Sequence, residues 1–205
     1  MSDREAAAAA VRRLGHALME RDVDAQLLRR VADELGALAD EAAAAPRRRR
    51  DVPLLTERMF ASEVADGETV VHFDECVVSG PWNPLGIGIE VVRDGEEAVA
   101  TVRLGAAFEG GPGMAHGGIV AALFDDVLGY LLTLHRIPAF TGELTVRYHR
   151  PTPVGEELEL RARVLGREGQ RLQTAAEARA AGTLVASATA IFVGIDAAAL
   201  AADRR

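Results

Sequence analysis

One stretch limits the folds open to this chain more than any other. Ile119-Val120-Ala121-Ala122-Leu123-Phe124-Asp125-Asp126-Val127-Leu128-Gly129-Tyr130-Leu131-Leu132 is apolar nearly all the way round. A helix without a polar face has to be enclosed by other structure. The flanking sequence supplies strands to enclose it. Residues 87–93 and 97–104 flank Asp94-Gly95, the strongest short hairpin signal in the chain. Residues 141–150, 157–166, 171–181 and 183–193 read as strands, separated by Pro151-Thr152-Pro153-Val154-Gly155, Gly166-Arg167-Glu168-Gly169 and Ala181-Gly182. Val70, Val71, Phe73, Val77 and Val78 suggest more extended structure ahead of a turn at Gly80-Pro81-Trp82-Asn83-Pro84. A hairpin, one buried helix and an antiparallel meander predict an α+β fold, with an antiparallel sheet wrapped around a central helix.

The N-terminal part is different in kind. Val11, Leu14, Leu18, Leu27, Leu28, Val31, Leu35 and Leu38 recur mostly at spacings of three, four or seven, the stripe of an amphipathic helix or helix pair. Pro46-Arg47-Arg48-Arg49-Arg50-Asp51-Val52-Pro53 interrupts it, and an exposed charged linker explains the four arginines better than a phosphate site does. The expected organisation is a helical extension over 1–50, a linker over 51–66, the main domain over 67–195 and a tail over 196–205. Acidic residues among the first five and the lack of an apolar signal core predict no secretory leader. No uninterrupted apolar run approaches the roughly 18 residues of a membrane span. The lone Cys76 can form no internal disulfide, which fits a reducing cytoplasm.

Charge removes other function classes. The net charge of -8 argues against a nucleic-acid partner. All 23 basic residues are Arg, so a phosphate loop ending in Gly-Lys, a lysine Schiff base and a pyridoxal anchor are all absent. No Gly-x-Ser-x-Gly elbow surrounds any serine, and the His and Cys residues form no metal-ligand spacing. Cys76 with His72 makes no convincing nucleophile pair; a small packed cysteine is the simpler reading.

What remains is the segment Gly110-Gly111-Pro112-Gly113-Met114-Ala115-His116-Gly117-Gly118 at the start of the buried helix. Its glycines let backbone approach a ligand closely. The first amides of a helix have no intrahelical acceptor, and with the helix dipole they stabilise a negative charge such as a developing oxyanion. A tight strand-to-helix turn with no ligand is an equal alternative on these residues alone. Asp125 and Asp126 alter that balance, since a carboxylate amid apolar neighbours is costly unless paired or used.

His116-Gly117-Gly118, four residues and then Leu123-Phe124-Asp125 resemble the His-Gly-Gly-x-x-x-x-Leu-x-Asp motif of hotdog-fold acyl-CoA thioesterases of the phenylacetate-pathway type. Phe108-Glu109-Gly110-Gly111-Pro112-Gly113 is similar to the lead-in of one branch, as is Asn83-Pro84-Leu85. Thr141-Gly142-Glu143-Leu144-Thr145-Val146-Arg147-Tyr148 and Pro151-Thr152-Pro153-Val154-Gly155 resemble that family's strand and turn after the helix. The likeness covers roughly residues 75–195. It implies a hotdog fold and hydrolysis of acyl-CoA to free acid and coenzyme A, with no metal or redox cofactor. Asp125 matches the carboxylate that activates water or attacks the thioester, with Asp126 one position off the motif as support. Gly117 matches the oxyanion donor, His116 the residue that orients the carbonyl, and Thr141 the hydroxyl that positions water. Gly110 stands where some members carry an asparagine.

Gly117 and Asp125 are eight residues apart on one helix, roughly 12 Å along its axis. One carbonyl cannot be within hydrogen-bond reach of both. If both act on one thioester, they come from different copies, which predicts a site at a two-fold homodimer interface; a tetramer is the larger alternative. Gly113, Met114 and Gly118 are candidate substrate contacts. Arg147 and His149, or Arg150, are candidates for coenzyme A phosphates, with strand alternation placing Arg147 and His149 on one face. Two rival readings are an acyl-CoA-binding scaffold without turnover and a hotdog hydratase.

Overall fold

The computed structural model describes residues 1–49, 60, 63–70 and 72–195. The predicted tail at 196–205, most of the predicted linker and Val71 lie outside the described residues. The N-terminal stripe forms a helix pair. Helix α1 (Asp3–Glu20) starts at a capping box in which the Ser2 hydroxyl accepts from the Glu5 amide and the Glu5 carboxylate accepts from the Ser2 amide. Helix α2 (Ala25–Ala43) starts at Asp24, whose carboxylate accepts from the Leu27 amide at 2.8 Å. Arg12 of α1 donates to the Asn83 carbonyl at 2.6 Å, and His16 meets Phe108 edge-on at 5.0 Å. These contacts tie α1 to the segments on either side of the predicted hairpin.

That hairpin is β1 (Val91–Asp94) and β2 (Glu97–Arg103), turning at Gly95 with φ 61°. A short ribbon, β3 (Glu109–Gly111) and β4 (Met114–Ala115), occupies the predicted glycine-rich loop. The buried helix is α3 (Gly117–Leu134), one turn longer than its apolar run. Four strands follow: β5 (Ala139–Tyr148), β6 (Glu157–Glu168), β7 (Arg171–Ala180) and β8 (Thr183–Gly194).

The six long strands form one antiparallel sheet in the order β1-β2-β6-β7-β8-β5. The simple meander expected after the helix is therefore corrected. β5 pairs with the last strand, β8, and β6 crosses to join β2. Residues 149–156, with Pro151 and Pro153, make this crossing; prolines that cannot donate to a ladder suit a segment leaving the sheet. The extended reading is corrected for residues 72–78 as well. Thr69 and Val70 pair with Val92 and Val91, but residues 72–80 form no strand and run through turns, with the Cys76 amide donating to the Phe73 carbonyl and the Gly80 amide to the Cys76 carbonyl.

The core forms where α3 lies against one face of the sheet. Leu123, Phe124, Val127, Leu128 and Leu131 are at most 1% exposed. Facing them are small side chains at alternate positions: Ala98 and Ala100 of β2, Ala162 of β6, Ala176 and Ala178 of β7, Ala186, Ala188 and Ala190 of β8. Large residues on the helix against alanines on the sheet let the two layers approach closely, and interdigitation of that kind fills an interior. α3 is long and apolar enough to cross a membrane by length and composition alone, but it is the core of this sheet. One strip of α3 escapes the sheet. Gly118 and Asp125 are exposed there, beside the edge strand β5.

Candidate active site

The entry to α3 is held from three directions. The His116 amide donates to the Phe108 carbonyl at 2.8 Å, and the Ala115 amide to the Thr152 carbonyl at 2.9 Å. Gly113 makes the β3–β4 turn with φ 71°, a left-handed conformation that favours glycine. His116 is the N-cap, and its Nδ1 accepts from the Gly118 amide at 3.0 Å. A ring nitrogen that accepts carries no proton, so neutral His116 keeps its proton on Nε2 and offers an N–H donor there. The Gly117 amide, at the first helical position, has no intrahelical acceptor. Donors, dipole and imidazole thus converge on one end of the helix.

A cavity of about 490 Å³ opens at that end, with His116, Gly117, Met114, Tyr148, His149 and Arg150 among its lining residues. Gly110 also lines it, and its lack of a side chain is a steric requirement. A Cβ there would fall 2.8 Å from His116 Cα and 3.0 Å from His116 Cβ. An asparagine at position 110 would displace the cap.

Asp125 does not line this cavity. It lies eight residues further along α3, roughly 12 Å by helical rise. Its Oδ1 accepts from the Thr141 hydroxyl at 2.9 Å. The register of β5 on β8 shifts between Thr141 and Glu143, a bulge of the sort that re-aims a side chain. The structure therefore joins Asp125 to Thr141 and joins His116, Gly117 and Gly118 to one another. Within one chain it keeps the two groups apart.

Asp126 has turned about 100° away from its neighbour, towards the interior. Cys76 Sγ donates to its Oδ1 at 3.1 Å, while Oδ2 is buried with no partner among the described residues. Burial raises the Asp126 pKa above the usual carboxylate range, with Asp125 adding to the shift; the nearby Cys76 and Ser79 oppose it. Ser79 Oγ reaches no bond of ordinary geometry among the described residues. Burial and then the Asp126 charge raise the Cys76 pKa, so the thiol stays protonated and acts as a donor. His72 packs on Tyr130 with ring centroids 4.2 Å apart, and burial lowers its pKa to about 4. Cys76 and His72 are thus packed groups, each beside a different residue of α3.

Strand alternation misplaces one cation. The His149 and Arg150 amides both bond to the Val185 carbonyl, at 2.8 and 3.0 Å, so the alternation ends where β5 ends. His149 and Arg150 reach the cavity and Arg147 does not. Tyr148 is the residue that sequence reasoning missed. It also lines the cavity, and its hydroxyl donates to the Gly117 carbonyl at 2.7 Å. Its place next to the two cations in the strand following the helix was the available signal. Among the described residues no three His, Cys, Asp or Glu side chains converge as metal ligands.

A family model described as the thioesterase superfamily matches residues 112–187, the span from the β3–β4 turn into β8. The crystal structure of a thioesterase superfamily protein is 31% identical, with a TM-score of 0.77, over 94% of this chain and 91% of that one. The PaaI protein of the phenylacetic acid degradation operon of E. coli is 24% identical, with a TM-score of 0.50. That match covers 52% of this chain and 83% of the other, and shows a shared fold. Acyl-coenzyme A thioesterase THEM4 of Bos taurus is 27% identical over 117 residues, 54% of this chain. The match spans 48% of that relative's length, about half.

Proposed function

This chain belongs to the thioesterase superfamily, and from that premise we propose that it hydrolyses an acyl-CoA to the free acid and coenzyme A at a site shared by two copies. The supporting observation is the division of polar groups along α3. One end carries donors for a carbonyl oxygen, and the Asp125–Thr141 pair lies roughly 12 Å away along the same helix. A two-fold axis near the exposed strip of α3 brings the donor end of one copy to the carboxylate of the other, twice per dimer. β5 supports such an axis. It is an edge strand, and Phe140 and Tyr148 on it are 54% and 50% exposed.

The chemistry then divides by subunit. The Gly117 amide and His116 Nε2–H hold the thioester oxygen and stabilise it as it becomes an oxyanion. Asp125, held by the Thr141 hydroxyl, supplies the attacking oxygen, its own or that of a water it deprotonates. Collapse of the tetrahedral intermediate expels the coenzyme A thiolate. With water as nucleophile this gives the free acid at once, whereas direct attack leaves an acyl anhydride on Asp125 that a water then hydrolyses. On either route the proton released from water goes to the thiolate. The acyl-CoA class is supported by the activity named for the bovine relative. His149 and Arg150 at the cavity are suited to the phosphates of coenzyme A.

The test is hydrolysis of an acyl-CoA panel, from acetyl to palmitoyl and aromatic acyl groups, by wild type, Asp125→Asn and Gly117→Val. Each variant alone should be inactive. After subunit exchange, an equal mixture should recover about a quarter of wild-type activity, since half the dimers carry one intact site of two. No recovery, with exchange demonstrated, would remove the shared site; tight binding without turnover by wild type would leave a scaffold.

A further inference from the structure

We propose that Tyr148 is a positioning residue for the carbonyl-holding end of the site; the inference rests on the thioesterase reading above and extends it. The Tyr148 hydroxyl donates to the Gly117 carbonyl at 2.7 Å. That carbonyl belongs to the peptide whose N–H, on Gly118, donates to His116 Nδ1 at 3.0 Å. One chain of polarised bonds therefore runs from the phenol through a peptide to the imidazole. Donation to a peptide oxygen makes the same peptide's N–H a stronger donor. A stronger bond to Nδ1 holds the His116 proton on Nε2, the nitrogen assigned to the substrate.

Packing supports the same role. A Cβ at Gly117 would fall 3.3 Å from the Tyr148 hydroxyl and 3.4 Å from Cζ, so the ring lies close against the first helical residue. First turns of helices fray because their amides lack partners. Here the oxyanion donor sits in that turn, where displacement of about an ångström is costly to catalysis. Tyr148 comes from β5, so the sheet edge itself braces the helix start. A bystander tyrosine would need neither the short bond nor a glycine opposite its ring.

Tyr148→Phe in the full chain keeps the ring and removes the bond. Its kcat should fall about 5- to 10-fold with KM within about two-fold, the effect of one hydrogen bond used in orienting a donor. The loss should persist in a Thr141→Ala background and shrink below about two-fold in His116→Ala, because only the latter shares the bond chain. Imidazole nitrogen NMR supplies a readout independent of turnover: wild-type His116 should be protonated on Nε2, and Tyr148→Phe should raise the other tautomer. An unchanged tautomer population, an unchanged kcat, or a full loss in the His116→Ala background each overturns the role. If wild type hydrolyses no thioester, the proposed function fails while the NMR comparison still decides on Tyr148.

Discussion

Acidification should weaken this fold through one histidine, and the size of the effect follows from its surroundings. His72 packs against Tyr130 with the two rings tilted by 31°, and burial holds its pKa near 4 instead of 6.5. Between those values the unfolded chain binds a proton at His72 that the folded chain refuses. Stability therefore rises with pH across this window, and is lost as pH falls from about 6.5 towards 4. A displacement of about 2.5 units at 1.36 kcal/mol each is worth about 3 kcal/mol. Set against a total stability of about 5–15 kcal/mol, that is enough to bring on acid unfolding. His72→Phe retains a ring for Tyr130 and removes the titration. Urea unfolding, followed by the fluorescence of the single tryptophan Trp82, would give the stability of both proteins from pH 7 to pH 4. Wild type should lose about 3 kcal/mol more than the variant over that range, or about 6–12 °C in Tm. Carboxylates common to both proteins cancel in the difference. Equal losses would refute the argument and show that the folded state readily hydrates or rearranges around a charged His72.

Asp126→Asn should act in the opposite direction. Its raised pKa means that ionisation costs stability as pH rises above the unfolded value of 3.8, so the variant should gain on wild type in urea unfolding as pH rises from about 4 to about 8, and a gap that closes with rising pH would contradict this. Asp125→Asn should lower kcat by about 10²–10⁴ with little change in Tm, measured by thioester hydrolysis and melting. In a single turnover of wild type in oxygen-18 water, label in Asp125 itself indicates direct attack; where label appears only in the free acid, trapping with hydroxylamine separates an Asp125 anhydride opened at its acyl carbonyl from direct attack by water. Gly110→Asn should destabilise the chain by about 1–3 kcal/mol and lower kcat at least about ten-fold, because its Cβ meets the His116 backbone at 2.8 Å.

The parts of this molecule that one residue's neighbours in sequence determine were the legible ones. α3, the Asp94-Gly95 hairpin and the four later strands appear within a few residues of their periodic patterns. Strand order was not legible, because alternation reports which face a residue takes and carries no label for the partner strand. β5 and β6 are neighbours in sequence but not in the sheet, as the proline-bearing crossing joins β6 to β2. Residues 72–78 misled for a related reason. Val77 is 57% exposed and Val78 is 5%, an alternation that turns can produce as well as a strand.

The same distinction separates the two aspartates. A carboxylate in an apolar helix is costly unless paired or used, but adjacent residues on a helix point about 100° apart, and that cost alone favours neither Asp125 nor Asp126. Their directions become decidable only with the elements packed on each side. The Cys76 turn covers Asp126, while a bulge on β5 brings the Thr141 hydroxyl to Asp125. Asp126 is thereby an internal group with a depleted hydrogen-bond supply, and Asp125 is an exposed carboxylate held in one orientation. A base or nucleophile must meet its substrate, so the exposed member is the one fitted for chemistry. The donor end of its own helix is out of its reach, which is why the proposed site pairs it with a second copy of the chain.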